Sequence, residues 1–315
     1  MPVESSSQAE NAVHGILLKV ASVAIFVMMN GLIKVAGDVP AGQIVFFRSL
    51  FAIPPIMLVL WLQGQMKGAW RTKNPVGHIM RGLVGVSSMG LGFFALTRLP
   101  LPDAITLNYA QPLLVVVFSA LFMGELIRVY RWSAVIVGLF GVVVVSWPKL
   151  TLFSSGAPAE TGQAIGVLAA FGGATMSAIA MLLVRKLVHT ERTSTIVIWF
   201  SASATVISLF TIPFGWNALE PYQVASLIGA GICGGLAQIL MTEAYRYAEA
   251  SVVAPFEYTS LLLGIVFAYL VFGELPTIYT LVGGAIVISA GIFIVVRERQ
   301  LGLERAKAKK VSPPQ

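Results

Sequence analysis

The sequence predicts an all-α polytopic membrane protein of ten transmembrane helices, arranged as two inverted five-helix repeats. Three observations predict it. Hydrophobic residues make up 57% of the 315 positions and charged residues 11%, too few charges to coat a water-facing surface. Apolar runs of the roughly 20 residues a spanning helix needs recur along the whole chain. The two halves also share a motif, Gly-Glu-Leu, at 124–126 and 273–275.

The elements follow in order. Residues 1–13 form a polar tail without the basic start and small-residue cleavage pattern of a signal peptide, so they read as a cytoplasmic tail before a retained helix. Breaks at Gly, Pro and charged residues give five spans at 14–36, 42–63, 76–97, 103–124 and 130–148, the first repeat (14–148). Residues 149–162 (KLTLFSSGAPAETG) read as the inter-repeat loop. Five more spans at 163–184, 194–215, 223–245, 252–272 and 277–296 form the second repeat (163–296), and 297–315 is a basic tail.

Charge placement orients the spans. With the N-terminus inside, sixteen Lys and Arg fall on inner loops, flanks and tail, Arg81 among them. Only Lys34, Arg98 and Lys149 fall outside, and Lys19 and Arg48 lie within spans. The positive-inside rule then puts both termini in the cytoplasm. The basic tail accounts for much of the +7 net charge and suits anionic headgroups, so no nucleic acid is expected as a partner. The single cysteine, Cys233, excludes an internal disulfide and a cysteine metal cluster. No cofactor is expected.

Aligning 95–126 with 244–275, at a constant offset of 149, gives ten identities in 32 positions, including Tyr109 with Tyr258. An odd number of spans per repeat inverts the second copy. Inverted repeats are a transporter architecture, with the substrate site near the midplane between halves.

The stretches QIVFFRSLFA (43–52), NYAQPLLVVVFSALFMGELIRVYRWSAVIVGLFGVVVV (108–145) and AYRYAEASVVAPFEYTSLLLGIVFAYLVFGELPTIYTLVGGAIVISAGI (244–292) resemble the EamA-type transporters of the drug/metabolite transporter superfamily. The resemblance covers nearly the whole chain. It implies a carrier of small organic solutes across the bacterial inner membrane, and the phrase PFEYTSLL resembles a branch associated with S-adenosylmethionine or riboflavin. The expectation is thus a secondary-active transporter of an amino-acid, nucleoside, S-adenosylmethionine or riboflavin-like solute, working by alternating access as a monomer or homodimer in the lipid bilayer. Coupling to a proton through Glu257 and uncoupled exchange both stay open, and a channel is the further alternative. No Walker A loop, HExxH, paired-aspartate or GxSxG motif occurs, which disfavours ATP hydrolysis through that loop and intramembrane catalysis.

Polar residues inside spans are the candidate substrate contacts, since exposure to lipid costs several kcal/mol. Glu257 comes first, about 8 Å from the inner end of its span at 1.5 Å per residue. Ser260, Gly264 and Ala268 continue its helix face. The alternative is a structural glutamate bonded near the inner loops, with Arg246 as a partner. The repeat partner of Glu257 is Asn108, with Gln111 on the same stripe; packing is as good a reading for Gln111, beside Pro112. Arg48 is an outer gate, an anion-binding group, or a snorkelling cation. Gln238, Ser88 and Asn30 are further candidates, whereas Gly231, Gly235, Gly85 and Gly92 suit close helix packing. Tyr109, Tyr258 and Trp199 can stack on a flat solute or anchor span ends. The Gly-Glu-Leu glutamates are expected to bond helix starts rather than form salt bridges.

Overall fold

The structure is a computed structural model of the chain and describes residues 3–64, 66, 68–123, 129–150, 158–187, 190–247 and 254–311. The described residues form helices without strands. In order these are α1 (Val3–Val35), α2 (Ala41–Leu50), α3 (Ile53–Leu62), α4 (Pro75–Arg98), α5 (Leu101–Asn108), α6 (Ala110–Met123), α7 (Val129–Leu150), α8 (Pro158–Leu187), α9 (Thr193–Leu209), α10 (Pro221–Tyr247), α11 (Thr259–Phe272) and α12 (Ile278–Val311). A 3₁₀ turn, Ala254–Tyr258, leads into α11. Among the described residues, eight helical segments are long and apolar enough to cross a membrane, with α2–α3 and α5–α6 each counted as one. Two shorter apolar segments, Ser194–Leu209 and Phe256–Phe272, join them.

Two of these segments break for a local reason. Pro54 and Pro55 open α3 and cannot donate to the carbonyls one turn back, so the chain kinks at Phe51–Ala52. Pro112 likewise deprives Asn108 of a donor, and α5 gives way to α6 at Tyr109. Tyr258, in the equivalent register, ends the 3₁₀ turn and starts α11. Matching tyrosines thus mark matching irregularities.

The main seams pair α1 with α10, α4 with α8, and α7 with α12. Further contacts join α6 to α8 and α11 to α1, α4 to α9 and α10 to α2, while α2–α9 and α5–α11 also face each other. Close approach in these seams depends on missing side chains. Gly173 of α8 lies against the backbone of Ser88 and Gly92, and Gly141 of α7 against Gly283 of α12. Apolar side chains facing outward are the lipid face. On α11, Leu262 and Leu270 are 67% and 74% exposed, while Leu261, Gly264 and Ala268 are buried.

The connections 36–40, 99–100, 210–220 and 273–277 gather at one end of the bundle. There Gln43 donates to the Asn217 carbonyl (3.0 Å), Gln223 donates to that of Ala36 (2.8 Å), and Lys34 donates to that of Leu99 (2.9 Å). At the other end lie the start of α1, with His14 against Tyr247, and the 63–74 and 187–192 connections. We call this the terminus-bearing end.

The second Gly-Glu-Leu motif now has a physical account. Gly273 caps α11 in the left-handed region (φ 65°), returning Glu274 N–H to the Ala268 carbonyl at 3.1 Å. Glu274 then accepts from the first amide of α5, Leu101 N–H (3.0 Å), and from Lys34 Nζ. The expectation of a helix-start bond without a salt bridge therefore needs correcting on two counts. The helix it starts is α5, distant in sequence, and an ion pair with Lys34 accompanies it. Gly124-Glu125-Leu126 lies outside the described residues, as do 151–157 of the inter-repeat loop, whose ends 149–150 and 158–162 are helical in α7 and α8.

Candidate functional site

The polar residues expected within the membrane collect in two groups. The first is built at the kink shared by the repeats. Tyr109 and Tyr258 meet edge to face with ring centroids 5.1 Å apart. The Tyr109 hydroxyl donates to Ser260 Oγ and lies 3.4 Å from the Tyr258 carbonyl. Ser260 in turn reaches back to the Glu257 carbonyl at 2.7 Å. Glu257 itself forms an ion pair with Lys19 of α1.

Lys19 is the residue whose role sequence reasoning missed. It was visible as a cation inside a span, but nothing in the sequence says that α1 passes the 3₁₀ turn before α11. Its side chain is 1% exposed, that of Glu257 49%. The carboxylate therefore faces outward from a buried ammonium, and at this depth the open side suits water better than lipid. The stripe continuing from Glu257 turns a different way, since Gly264 packs against Ile105 of α5 and Ala268 is buried. Arg246 belongs to α10, but its side chain lies outside what the structure describes. Asn108 is exposed and Gln111 half-buried on the facing repeat.

The second group surrounds a cavity of about 630 Å³ at the terminus-bearing end, between α3, α9 and α10. That size is typical of small-molecule sites. Ile56 and Leu60 from α3, Val197 from α9, and Gln238 and Thr242 from α10 line it. At its rim Gln63 donates to Glu243 (3.2 Å). One turn further into the bundle from Gln238 comes Gly234, whose bare Cα leaves room for Met29 and the Arg48 guanidinium. One turn in from Val197 comes Phe200, which carries Arg81 over its ring at 4.0 Å. Arg48 and Arg81 thus lie beside Gly234 and Phe200, each one turn beyond a residue of the cavity lining.

Arg81 was expected at an inner flank. The structure instead draws it into the bundle, folded past Gly85, where a side chain would occupy the space of the guanidinium. The signal was present, since Arg81 lies six residues inside α4 with a glycine one turn on.

Other candidates are spent elsewhere. Ser88 donates to the Gly173 carbonyl (2.9 Å) and belongs to the α4–α8 seam. Trp199 donates to the Trp70 carbonyl (3.2 Å) and stacks on His78, an end anchor. Asn30 is half-buried on α1. Gly231 and Gly235 pack against Phe47, Phe51 and Ala52 of the kinked segment.

Glu191 also escaped sequence reasoning. It bridges two connections at the terminus-bearing end, accepting from Thr72 Oγ1 (2.7 Å) and from the amides of Lys73 (2.6 Å) and Asn74 (3.0 Å). Those bonds, the Thr72 hydroxyl foremost, hold its carboxyl below the usual range. A depressed carboxyl contributes stability above its unfolded value of about 4.3, and loses it as pH falls through the folded value. Protection of the Lys73 and Asn74 amides, relative to an unstructured chain at the same pH, is therefore expected to fall as pH drops below about 4.3, and Glu191→Ala to lower it likewise at pH 7. Exchange unchanged in the variant would refute the latch.

Comparison with known proteins fits this geometry. The EamA-like transporter family matches the chain twice, over residues 13–147 and 164–297. The chain is 30% identical over 285 residues to the pseudopaline exporter CntI of Pseudomonas aeruginosa, covering 88% of this chain and 94% of that protein. It is 27% identical over 258 residues to the S-adenosylmethionine uptake transporter of Rickettsia felis (82% and 84% covered). It is 28% identical over 274 residues to a riboflavin transporter of Vibrio cholerae (85% and 88% covered). A crystal structure sharing 19% identity superposes with a TM-score of 0.63 over 91% of this chain and 97% of the other, which shows a shared fold. With the family matched in both halves, each relative named above a transporter, and helices long and apolar enough to cross a membrane, the chain belongs to the EamA-like transporter family of the drug/metabolite transporter superfamily and is a membrane transporter of small molecules, not an enzyme.

Proposed function

We propose that this protein is a secondary transporter of a small organic metabolite, working by alternating access between two inverted five-span repeats. The observation that carries the reading is the cavity's asymmetry. It opens among Gln63, Arg192 and Glu243 at the terminus-bearing end. The opposite end is latched by Lys34–Glu274, Gln43–Asn217 and Gln223–Ala36. One closed gate and one open mouth are what a carrier presents in one of its two access states. Every heterologous seam noted above has its counterpart with the repeats exchanged, α1–α10 for α8–α4 and α11–α1 for α6–α8, which supports a pseudo-twofold relation. Charge placement supports termini in the cytoplasm, and bacterial relatives support the inner membrane as its site. The state described then faces inward.

The solute class follows from size and lining. A cavity of about 630 Å³ lined by apolar side chains, amides and charged groups suits a zwitterionic or amphipathic metabolite of the kind the relatives' names give, S-adenosylmethionine or riboflavin. Counterflow into proteoliposomes preloaded with S-adenosylmethionine, riboflavin or amino acids tests it. Saturable accumulation of the labelled solute is expected for at least one. Flux no greater than in protein-free vesicles, or flux that never saturates, would overturn the carrier. A proton gradient that changes flux in the wild type but not in Glu257→Gln supports coupling through that carboxylate. Flux indifferent to both leaves uncoupled exchange as the mechanism.

A further inference from the structure

Among the described residues, the two arginines beyond the cavity lining find no strong acceptor. Arg48 Nε and Arg81 Nε and Nη1 are buried and meet no hydrogen-bond partner among the described residues. The nearest acceptor to Arg48 Nη1 is the Met89 sulfur at 4.0 Å, a weak one. Arg81 has the face of Phe200, and a ring face supplies about 0.5–2 kcal/mol. That is well short of the desolvation cost of a buried cation, which is several kcal/mol even after relaxation. Of the carboxylates described above, Glu257 pairs with Lys19 and Glu191 with the 72–74 connection.

The two cations also approach each other. Arg81 enters from the terminus-bearing end, about 9 Å along α4, and Arg48 from the opposite end, about 10 Å along α2. Both reach the same face of α4, because Arg81, Gly85 and Met89 follow at four-residue intervals and Arg48 touches Met89. Their like charges repel across the gap. Two guanidinium groups directed at one face of α4, with buried nitrogens and no counterion among the described residues, are poised for an anion supplied from outside.

We propose that Arg48 and Arg81 form an oxyanion receptor for the transported solute, each presenting a planar fork to a carboxylate or phosphate group. The proposal rests on the transporter reading, and narrows the solute to one carrying such a group. Guanidinium suits the role better than ammonium, because it keeps its charge when desolvated and meets an oxyanion with two parallel bonds. Approach runs up the cavity past Gln238, so the anionic end of the solute leads and its remainder fills the space between α3, α9 and α10.

The test uses the full-length protein in lipid nanodiscs, followed through its unfolding temperature. Succinate and inorganic phosphate are each titrated against sodium chloride at equal ionic strength, with succinamide as the uncharged isostere. One or both anions are expected to raise the unfolding temperature by about 2–5 °C, and chloride and succinamide are not. Succinate acting alone assigns a carboxylate solute, and phosphate acting alone a phosphate-bearing one. Arg48→Gln and Arg81→Gln are each expected to weaken the apparent affinity at least tenfold. Arg81→Gln is further expected to unfold, without ligand, at no lower temperature than the wild type, since it relieves repulsion; a purely structural arginine would lower it. Should Arg48→Gln fail to fold, Arg48→Lys keeps the charge, removes the fork and is expected to weaken binding too.

Absence of any anion-specific shift, or shifts of equal size in both glutamine variants, would overturn the receptor. A ligand-free loss of stability in Arg81→Gln would do so as well. The transport reading fails separately, if the anion shift is present but no solute shows counterflow.

Discussion

Glu257→Gln is expected to destabilise the protein more than Lys19→Met, although each breaks the same ion pair. The reason is the unequal burial of the two partners. Lys19 is 1% exposed within the α1 seam, and Glu257 is 49% exposed. Removing the carboxylate takes from a buried ammonium its Glu257 partner, one of the interactions Lys19 makes, and breaking a pair at a buried charge costs up to about 3 kcal/mol. Removing the lysine leaves a carboxylate that already half-meets its surroundings, and about 1 kcal/mol is the expected loss. The double variant Lys19→Met/Glu257→Gln should recover much of the difference, because two neutral side chains of similar volume replace the pair. Thermal unfolding of the four proteins in nanodiscs reads this as a double-mutant cycle. Equal losses in the two single variants would show that the burial asymmetry does not govern the pair. The flux measurements are then interpretable, since a Glu257→Gln protein that transports nothing must first be shown to be folded.

The same pair illustrates what could be read from sequence and what could not. Composition, span length and the shared Gly-Glu-Leu motif suffice for an all-helical membrane chain with two related halves, because hydropathy and local repetition are properties of neighbouring residues. The break at Gln111-Pro112 was also legible, because a missing N–H is a local fact, whereas span 42–63 was drawn unbroken across Pro54-Pro55. Partners across the bundle were not. Glu257 meets Lys19 across 238 positions and Glu274 meets Lys34 across 240, both pairings made by α1 returning beside the last spans. An amphipathic pattern cannot announce such a neighbour. Arg81 was misplaced for a related reason. A cation near a span end reads as a flank, and only the packing of Gly85 against Phe200 reveals that it has been drawn inward. Ser88 shows the converse, a polar residue whose hydroxyl is taken up by the neighbouring helix.

Gly235→Val is expected to be among the most damaging single substitutions in the chain, and Gly92→Ala one of the mildest. At Gly235 a new Cβ would stand 2.8 Å from the carbonyl oxygen of Ala52 and 3.1 Å from its Cα, backbone atoms at the kink before α3. Backbone cannot rotate away as a side chain can, so α10 and α3 must separate. Overpacking of this kind costs about 1–3 kcal/mol, and a β-branched residue inserts more atoms than the single Cβ already forbids. Nothing lies within 4 Å of a Cβ at Gly92 on α4. There alanine is expected to raise helix stability by up to about 1 kcal/mol. The yield of monodisperse protein and its unfolding temperature should therefore fall sharply for Gly235→Val and hold or rise for Gly92→Ala; equal behaviour would refute the packing account. The consequence reaches transport, because α3 and α10 are two of the three cavity walls. Even Gly235→Ala, if it folds, wedges those walls apart beside Ala52 and Pro55. It is expected to hold the terminus-bearing mouth open, leaving solute binding measurable while counterflow drops.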